Sequence, residues 1–150
     1  MKSRTKARSI ALQVLYEVDI CGHLPGAILT SKFERLKVDN TIKNFISSIV
    51  SGVIKNKTIL DEFIADFAPE WPLDQVAIID RNLLRIALWE IAIFQKTPVK
   101  VVINEAIELG KIYGSEGTPR FINGVLGGFI DNLEEIKLSL EIGQEDEFPD

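Results

Sequence analysis

The chain of 150 residues has few of the side chains from which metal sites and nucleophilic sites are built. It contains one cysteine, Cys21, and one histidine, His23, both in the segment 21–26, which glycine and proline mark as a turn. Two candidate ligands cannot complete a tetrahedral metal site, so we predict none. A single cysteine excludes an internal disulfide. Because proteins of reducing compartments ordinarily lack disulfides, we expect a cytoplasmic protein.

Long apolar runs, strictly alternating segments and nucleotide-binding loops are also missing. The N-terminus leads into an amphipathic pattern, not into a short apolar run with a cleavage site, so we expect no leader. No P-loop or dinucleotide spacing of glycines is present, and we predict no cofactor. Glu105 and Glu108 fall on one predicted helix face, where a carboxylate pair is ordinarily solvated. The sequence therefore indicates no active site.

What the chain does have is apolar content, 46%, with helical spacing. A first helix is predicted over about 5–20. The segment 71–94 is apolar on nearly all sides, which is typical of a helix surrounded by protein. We predict it as the central helix, with Asp74 as its N-cap and with its charges paired to each other or placed on one open strip. The result is an all-α architecture of about seven helices in two small bundles that share this helix.

Local signals predict how several helices begin. Asp39 or Asn40 is expected to cap the helix that follows it. The pairs 97–98 and 118–119 are both Thr-Pro, and each predicts a helix with threonine as the N-cap and proline at the first helical position.

Glycines indicate where helices approach each other. The last predicted helix contains Gly124, Gly127 and Gly128, each of which weakens it by about 1 kcal/mol relative to alanine. We interpret this cluster as a crowded crossing, and Gly52 as a second close approach.

The net charge of −5 argues weakly against nucleic-acid binding, but the charge is unevenly distributed. The segment 141–150 is acidic and has no base, and we predict it as a disordered tail after a single domain over 1–140. The first ten residues contain no acid and four cations, Lys2, Arg4, Lys6 and Arg8. Four cations displace about four phosphate counterions, which gives salt-dependent and largely sequence-independent binding.

Aromatic side chains supply the other candidates. Tyr113 and Phe121 flank the loop between two predicted helices. Either they stack on unpaired bases, which would stabilise binding by about 1–3 kcal/mol each, or they close the loop over the core. Arg120 lies beside Phe121 at a helix N-terminus, a position that favours an anion. Tyr16 shares the polar face of the first helix with Gln13, and that face fits a contact surface and a solvated surface equally.

Four segments form a pattern known from one family. They are Arg8 with 11–16 (ALQVLY), 83–91 (LLRIALWEI), 102–109 (VINEAIEL) with Lys111, and 121–126 (FINGVL). In this order and spacing they resemble the NusB family of bacterial transcription antitermination factors, over nearly the whole chain.

The resemblance implies an RNA-binding factor that is not an enzyme, built from two helical bundles packed about perpendicular to each other. Family members bind the boxA element, a single-stranded segment of nascent ribosomal RNA leaders, together with NusE, which is also a protein of the small ribosomal subunit. The complex joins other Nus factors on RNA polymerase, suppresses termination and supports rRNA synthesis. Some members form homodimers.

The resemblance also implies roles for individual residues. It assigns Tyr16 and Asp80 to contact with NusE, and it assigns the basic N-terminus and the two loop aromatics to RNA. Together with the neighbouring candidates, the predicted RNA-binding set is Lys2, Arg4, Lys6, Arg8, Gln13, Tyr113, Arg120 and Phe121.

Two other functions stay open on the sequence. A NusB-like domain precedes the catalytic domain of rRNA cytosine-5 methyltransferases, so an accessory domain for a separate catalytic chain is one alternative. A protein–protein adaptor that never touches nucleic acid is the other, and co-purification with NusE without a shift of RNA would favour it.

Overall fold

A computed structural model describes the backbone of residues 2–147 and the side chains up to residue 141. Within these residues the chain forms helices and no strand, which confirms the predicted all-α class. None of the described helices is both long and apolar enough to cross a lipid bilayer. The helices are α1 (Ser3–Cys21), α2 (Pro25–Arg35), α3 (Asn40–Lys55), α4 (Lys57–Phe67), α5 (Ile78–Trp89), α6 (Val99–Tyr113), α7 (Thr118–Asp131) and α8 (Leu133–Glu147).

Helix α5 is the centre of the fold, as the sequence predicts. It packs against α1, α3, α4, α6 and α7. Helices α1, α2 and α3 contact one another on one side of it, and α4, α6 and α7 form the group on the other side. The side chains of Leu83, Leu84 and Leu88 are fully buried, because α5 has neighbours on nearly every face. The prediction of two bundles that share one helix is confirmed.

The segment 71–94 is not one continuous α-helix. A 3₁₀ turn, Leu73–Gln75, precedes α5, and Ala77, not Asp74, is the N-cap residue of α5. The predicted cap at Asp74 is therefore wrong. At the other end, a π-helical turn, Glu90–Phe94, continues from α5. It ends at Gln95, whose backbone is left-handed (φ 58°) and whose N–H donates to the carbonyl of Glu90 at 2.9 Å.

Of the predicted helix caps, only one is confirmed. Asp39 accepts a hydrogen bond from the N–H of Ile42 at 2.9 Å. The caps at Thr97 and Thr118 are wrong, since Pro98 and Gly117 occupy the N-cap positions of α6 and α7. Both threonine hydroxyls donate instead to carboxylates of the α5 region, and hydrogen bonds to ionised acceptors are stronger than those between neutral groups.

Two charges of the central helix and its π turn, Arg85 and Glu90, pair with other helices, which corrects the expectation that the charges of this segment pair with each other or lie on one open strip. Arg85 binds Asp61 of α4 (Nε–Oδ1, 2.7 Å) and Asp19 of α1 (Nη1–Oδ2, 2.9 Å). Glu90 binds Arg8 of α1, with its Oε2 2.8 Å from Nε. Because removing one partner leaves a buried charge without compensation, at a cost of about 3–5 kcal/mol, these pairs fix α1 and α4 against α5.

The glycines fall into two groups. A Cβ at Gly52 would overlap the indole of Trp89, and one at Gly128 would lie 3.1 Å from the ring of Phe67. Nothing lies within 4 Å of a Cβ at Gly124 or Gly127. The prediction of a close approach is confirmed for Gly52 and Gly128. It is wrong for the other two, because their helix face is exposed.

The last predicted helix is divided. Asn132 leaves the helical conformation and its side-chain amide donates to the carbonyl of Gly128 at 2.9 Å, so α7 ends and α8 begins around it. The backbone of α8 continues to Glu147, into the predicted acidic tail, while residues 148–150 lie outside the described part. The disorder of that tail stays a prediction.

The first prediction compares one substitution at two glycines. Gly52→Ala should lower the free energy of unfolding by about 1–3 kcal/mol, because the added methyl group displaces the Trp89 ring. Gly127→Ala should raise it by up to about 1 kcal/mol, because alanine is the better helix former and its methyl group meets nothing. Urea unfolding of both variants measures this; equal effects of the same sign would contradict the assignment.

A second prediction concerns pH and begins with the surroundings of Asp19. Burial by itself raises the pKa of this carboxyl, but the hydrogen bond from Asn82 and the charges of Arg85 and Lys57 outweigh it, so the pKa lies below the ordinary 3.8. A carboxyl with a lower pKa in the folded state stabilises the fold above the unfolded-state pKa. That contribution is lost as the pH falls through the folded-state value.

Asp19→Asn should therefore lower the free energy of unfolding by about 1–3 kcal/mol at neutral pH. The difference from the unsubstituted protein should shrink as the pH falls from 3.8 through the lower pKa of the folded state, because below that second value the carboxyl is protonated in both states. Asp66→Asn, at an exposed position of α4, is the matched control and should change stability by less than about 0.5 kcal/mol. A difference that does not depend on pH would contradict the role of the charge.

Candidate nucleic-acid interface

The basic N-terminus is helical. Helix α1 begins at Ser3, with Lys2 as the N-cap residue, so the cations project from fixed positions on the first turns. Lys2, Arg4 and Lys6 are exposed. Because successive helical residues are about 100° apart, Arg4 and Lys6 point to different flanks of α1.

Arg8 is not part of this exposed group. Its side chain is 3% exposed, and its Nε and Nη2 donate to the two carboxylate oxygens of Glu90, both at 2.8 Å. Glu105 lies nearby, with Oε2 3.8 Å from Nη1. The expectation that Arg8 presents a free cation is therefore corrected: its charge is neutralised inside the protein by the acid at the start of the π turn.

A polar groove lies on the flank of α1 that carries Lys6. At its centre the hydroxyls of Ser9 and Tyr113 are hydrogen-bonded to each other. The amide of Gln13 donates to both, at 3.4 Å to Ser9 and 3.5 Å to Tyr113. These contacts join α1 to the end of α6, and they bring together three predicted site residues, Lys6, Gln13 and Tyr113, which line the same groove.

Two cations of this groove were not predicted from the sequence. Lys32 and Arg35 of α2 line it, and the Lys32 ammonium donates to the amide oxygen of Gln13 at 3.4 Å. Their spacing of three residues places them on one face of the last turn of α2, a signal that the sequence does contain. With Lys6, they make the groove strongly basic on an acidic protein.

The sequence leaves two alternatives for the rings of Tyr113 and Phe121, packing over the core or exposure for stacking on bases, and the structure shows features of both. Both pack against the hydrophobic core, and both remain partly exposed. Tyr113 lies in the groove, whereas Arg120 and Phe121 lie in the first turn of α7 and are not among the described residues that line it. The structure therefore groups Tyr113 with the cations and leaves Phe121 outside the groove lining.

The loop that precedes α7 is held to α5 by hydrogen bonds of Thr118. The hydroxyl of Thr118 donates to Asp80 at 2.7 Å and accepts from the N–H of Ser115 at 2.9 Å. Burial raises the pKa of Asp80 above its ordinary value, and the hydrogen bond from Thr118 only partly opposes this. A Cβ at Gly114 would overlap the Thr118 side chain, so only glycine fits at this position without a shift.

The two residues expected to contact a partner protein differ in exposure. Tyr16 is 39% exposed on α1, three residues after Gln13. Asp80 is only 8% exposed and is held by Thr118. The structure places Tyr16 on the surface next to the groove and Asp80 beneath the surface, as a support of the loop at 114–117. Their roles toward a partner stay predictions.

The described residues offer no metal site. Among them, no three His, Cys, Asp or Glu side chains come together as metal ligands. The groove presents ammonium, guanidinium, amide and hydroxyl groups beside one aromatic ring. This combination suits an extended polyanion with flat bases.

Comparisons with known proteins agree with this fold. The sequence pattern of the NusB family matches residues 5–131. The transcription antitermination protein NusB of Dehalococcoides mccartyi (strain CBDB1) is 48% identical over 128 residues, which cover 83% of this chain and 87% of that protein.

Solved structures give the same result. NusB of T. maritima superposes with a TM-score of 0.75 at 28% identity, covering 89% of each chain. A chain from a crystal structure of the antitermination factors NusB and NusE in complex with double-stranded RNA has a TM-score of 0.77 at 24% identity, covering 93% of this chain and 98% of that one. These matches confirm the predicted fold and the expectation of a regulator that is not an enzyme. The chain belongs to the NusB family.

Proposed function

We propose that this protein is a transcription antitermination factor that binds boxA-type single-stranded RNA of nascent rRNA leaders together with NusE. The observation that carries the proposal is the groove between α1, α2 and the end of α6, where Lys6, Lys32 and Arg35 surround Gln13 and Tyr113. The relative from Dehalococcoides mccartyi is named for antitermination, and one structure of the same fold includes NusE and double-stranded RNA.

The groove suits a single strand because each of its groups fits one part of a nucleotide. The three cations attract phosphates, and each neutralised phosphate of a single strand contributes about 0.7 to the slope of log K against log salt. The exposed part of the Tyr113 ring is placed to stack on a base. The amide of Gln13, which is exposed, offers both a donor and an acceptor to a base edge.

Arg8 acts in this proposal as a positioning residue. Its buried pair with Glu90 holds the start of α1 against the π turn, and so it fixes Lys6, Ser9 and Gln13 relative to α6. Substitution of Arg8 should therefore act on folding, and only through folding on RNA affinity.

NusE is proposed to lie beside the RNA. Tyr16 is an exposed aromatic residue of α1, three residues after Gln13 of the groove. An aromatic side chain on a polar face is typical of a protein contact. Asp80 would contribute by holding the loop before α7. The complex is proposed to act in the cytoplasm with other Nus factors on RNA polymerase, and a homodimer is proposed as a form of the free protein.

The third prediction tests the cations. Lys6→Gln should weaken binding of boxA RNA and reduce the slope of log K against log salt by about 0.7, since one phosphate contact is lost. Lys55→Gln is the matched control, because Lys55 is an exposed lysine at the far end of α3 and not among the residues that line the groove. Fluorescence anisotropy with boxA RNA and a scrambled RNA, with and without NusE, measures both quantities.

Equal salt slopes for Lys6→Gln and Lys55→Gln would show that the groove is not the RNA site. Binding of NusE without any binding of RNA would favour the adaptor function instead.

The fourth prediction separates the Tyr113 ring from its hydroxyl. Tyr113→Leu keeps apolar cover over the core but removes stacking, and it should weaken boxA RNA binding by about 1–3 kcal/mol. Tyr113→Phe keeps the ring, loses the bond to Ser9, and should weaken binding less. Thermal unfolding of both variants controls for stability. An equal loss in the two variants would contradict stacking and assign the effect to the hydroxyl.

A further inference from the structure

A second groove lies on the opposite flank of the first turns of α1. Arg4 lines it from α1, Asn44, Phe45 and Ser48 line it from α3, and Phe94 and Lys96 line it from the end of the π turn and the link to α6. Its volume of about 470 Å³ is comparable to that of the first groove, about 580 Å³. None of the predicted site residues apart from Arg4 belongs to it.

The cations of this groove are held over aromatic rings. The guanidinium carbon of Arg4 lies 4.5 Å from the centre of the Phe45 ring. The ammonium of Lys96 lies 5.1 Å from the centre of the Phe94 ring. The two rings are 6.0 Å apart, so both charges stand over one aromatic floor. Cation–π contacts of this kind order long side chains while leaving the charged groups hydrated and accessible.

The floor itself is rigid. Phe94 stacks on Trp89 with ring centres 4.7 Å apart, and the Trp89 indole fills the space left by Gly52 of α3. The left-handed backbone of Gln95 then turns the chain so that Lys96 follows directly beside Phe94. The position of Lys96 is therefore set by the fold.

The charge of the groove is complementary to a polyanion. Its lining in the described residues includes two cations and no carboxylate. Glu90 accepts a hydrogen bond from Thr97 of the lining, but it is 1% exposed and paired with Arg8. The exposed amide of Asn44 and hydroxyl of Ser48 add groups that bond equally well to phosphates and to base edges.

We propose that this second groove binds further nucleotides of the same single-stranded RNA, so that the strand crosses the start of α1 from one groove to the other. The proposal rests on the proposed function, since it extends the same ligand. An α-helix is only about 10–12 Å across, so a strand that leaves the first groove past Lys6 reaches Arg4 within a few nucleotides. The RNA footprint on this protein is then longer than the first groove alone allows.

The fifth prediction is tested with RNAs of two lengths. One is the boxA element alone, and the other carries about eight unstructured nucleotides added to either end, a length within the usual range of single-strand binding sites. An extension on one of the two ends should tighten binding to the unsubstituted protein and increase its salt slope by about 0.7 for each added phosphate contact. Fluorescence anisotropy at several salt concentrations, in the presence of NusE, measures this.

Three lysine variants locate the effect. Lys96→Gln should reduce the increase in salt slope that the extension causes by about 0.7, and it should reduce the accompanying increase in affinity. Its binding of the short RNA should equal that of the unsubstituted protein. Lys6→Gln should weaken binding of both RNAs. Lys55→Gln should change neither. In NMR spectra, the backbone amides of Ser48 and Lys96 should shift on addition of the extended RNA and not of the short one.

The outcomes separate this proposal from the proposed function. If the short RNA binds but neither extension tightens binding, or if Lys96→Gln behaves like Lys55→Gln, the second groove is not an RNA site and the proposed function stands. If neither RNA binds in preference to a scrambled control, both proposals fail.

Discussion

The buried ion pair between Arg8 and Glu90 is the interaction on which the surface features of this protein depend. It joins the first helix to the residue at which the central helix changes to a π turn. Along the sequence, Arg8 follows Arg4 and Lys6 and precedes Ser9 and Gln13. The pair therefore fixes the rotation of α1 about its axis, and with it the direction of both flanks. Because the two charges neutralise each other inside the protein, the exposed cations face no competing acid from this position.

The π turn has a structural role of its own. A turn with one extra residue places Glu90 inward toward Arg8 and leaves Phe94 stacked on Trp89. That stacking is possible because Gly52 has no side chain where the indole lies. One short segment, 89–96, therefore holds both the acid of the buried ion pair, Glu90, and the exposed cation Lys96, which lies over the Phe94 ring. π turns of this type are frequent at functional sites.

Much of the fold follows from the sequence, because it depends on local periodicity. The apolar spacing in 42–53 and 76–91 predicts the buried faces of α3 and α5, and the cap at Asp39 needs only residues within its own turn. Three of the errors share a cause. Thr97, Thr118 and Arg8 each bind a carboxylate on another helical segment, and single-sequence patterns do not contain that information.

The candidate site shows the same division. Lys6, Gln13 and Tyr113 were predicted and do lie together, whereas Lys32 and Arg35 were missed because only tertiary packing brings α2 beside α1. Arg4, over Phe45, was predicted, whereas Lys96, over Phe94, was missed for the same reason, since the two rings belong to different helical segments.

The hydrogen bond between Tyr113 and Ser9 has a consequence for the thermodynamics of recognition. A phenol that is anchored at its oxygen and packed against the core on one side has already lost most of its rotational freedom in the free protein. A ligand that lands on the open face of such a ring does not have to immobilise it. The conformational entropy lost on binding is then mainly that of the flexible RNA strand, because the Tyr113 ring is already ordered in the free protein.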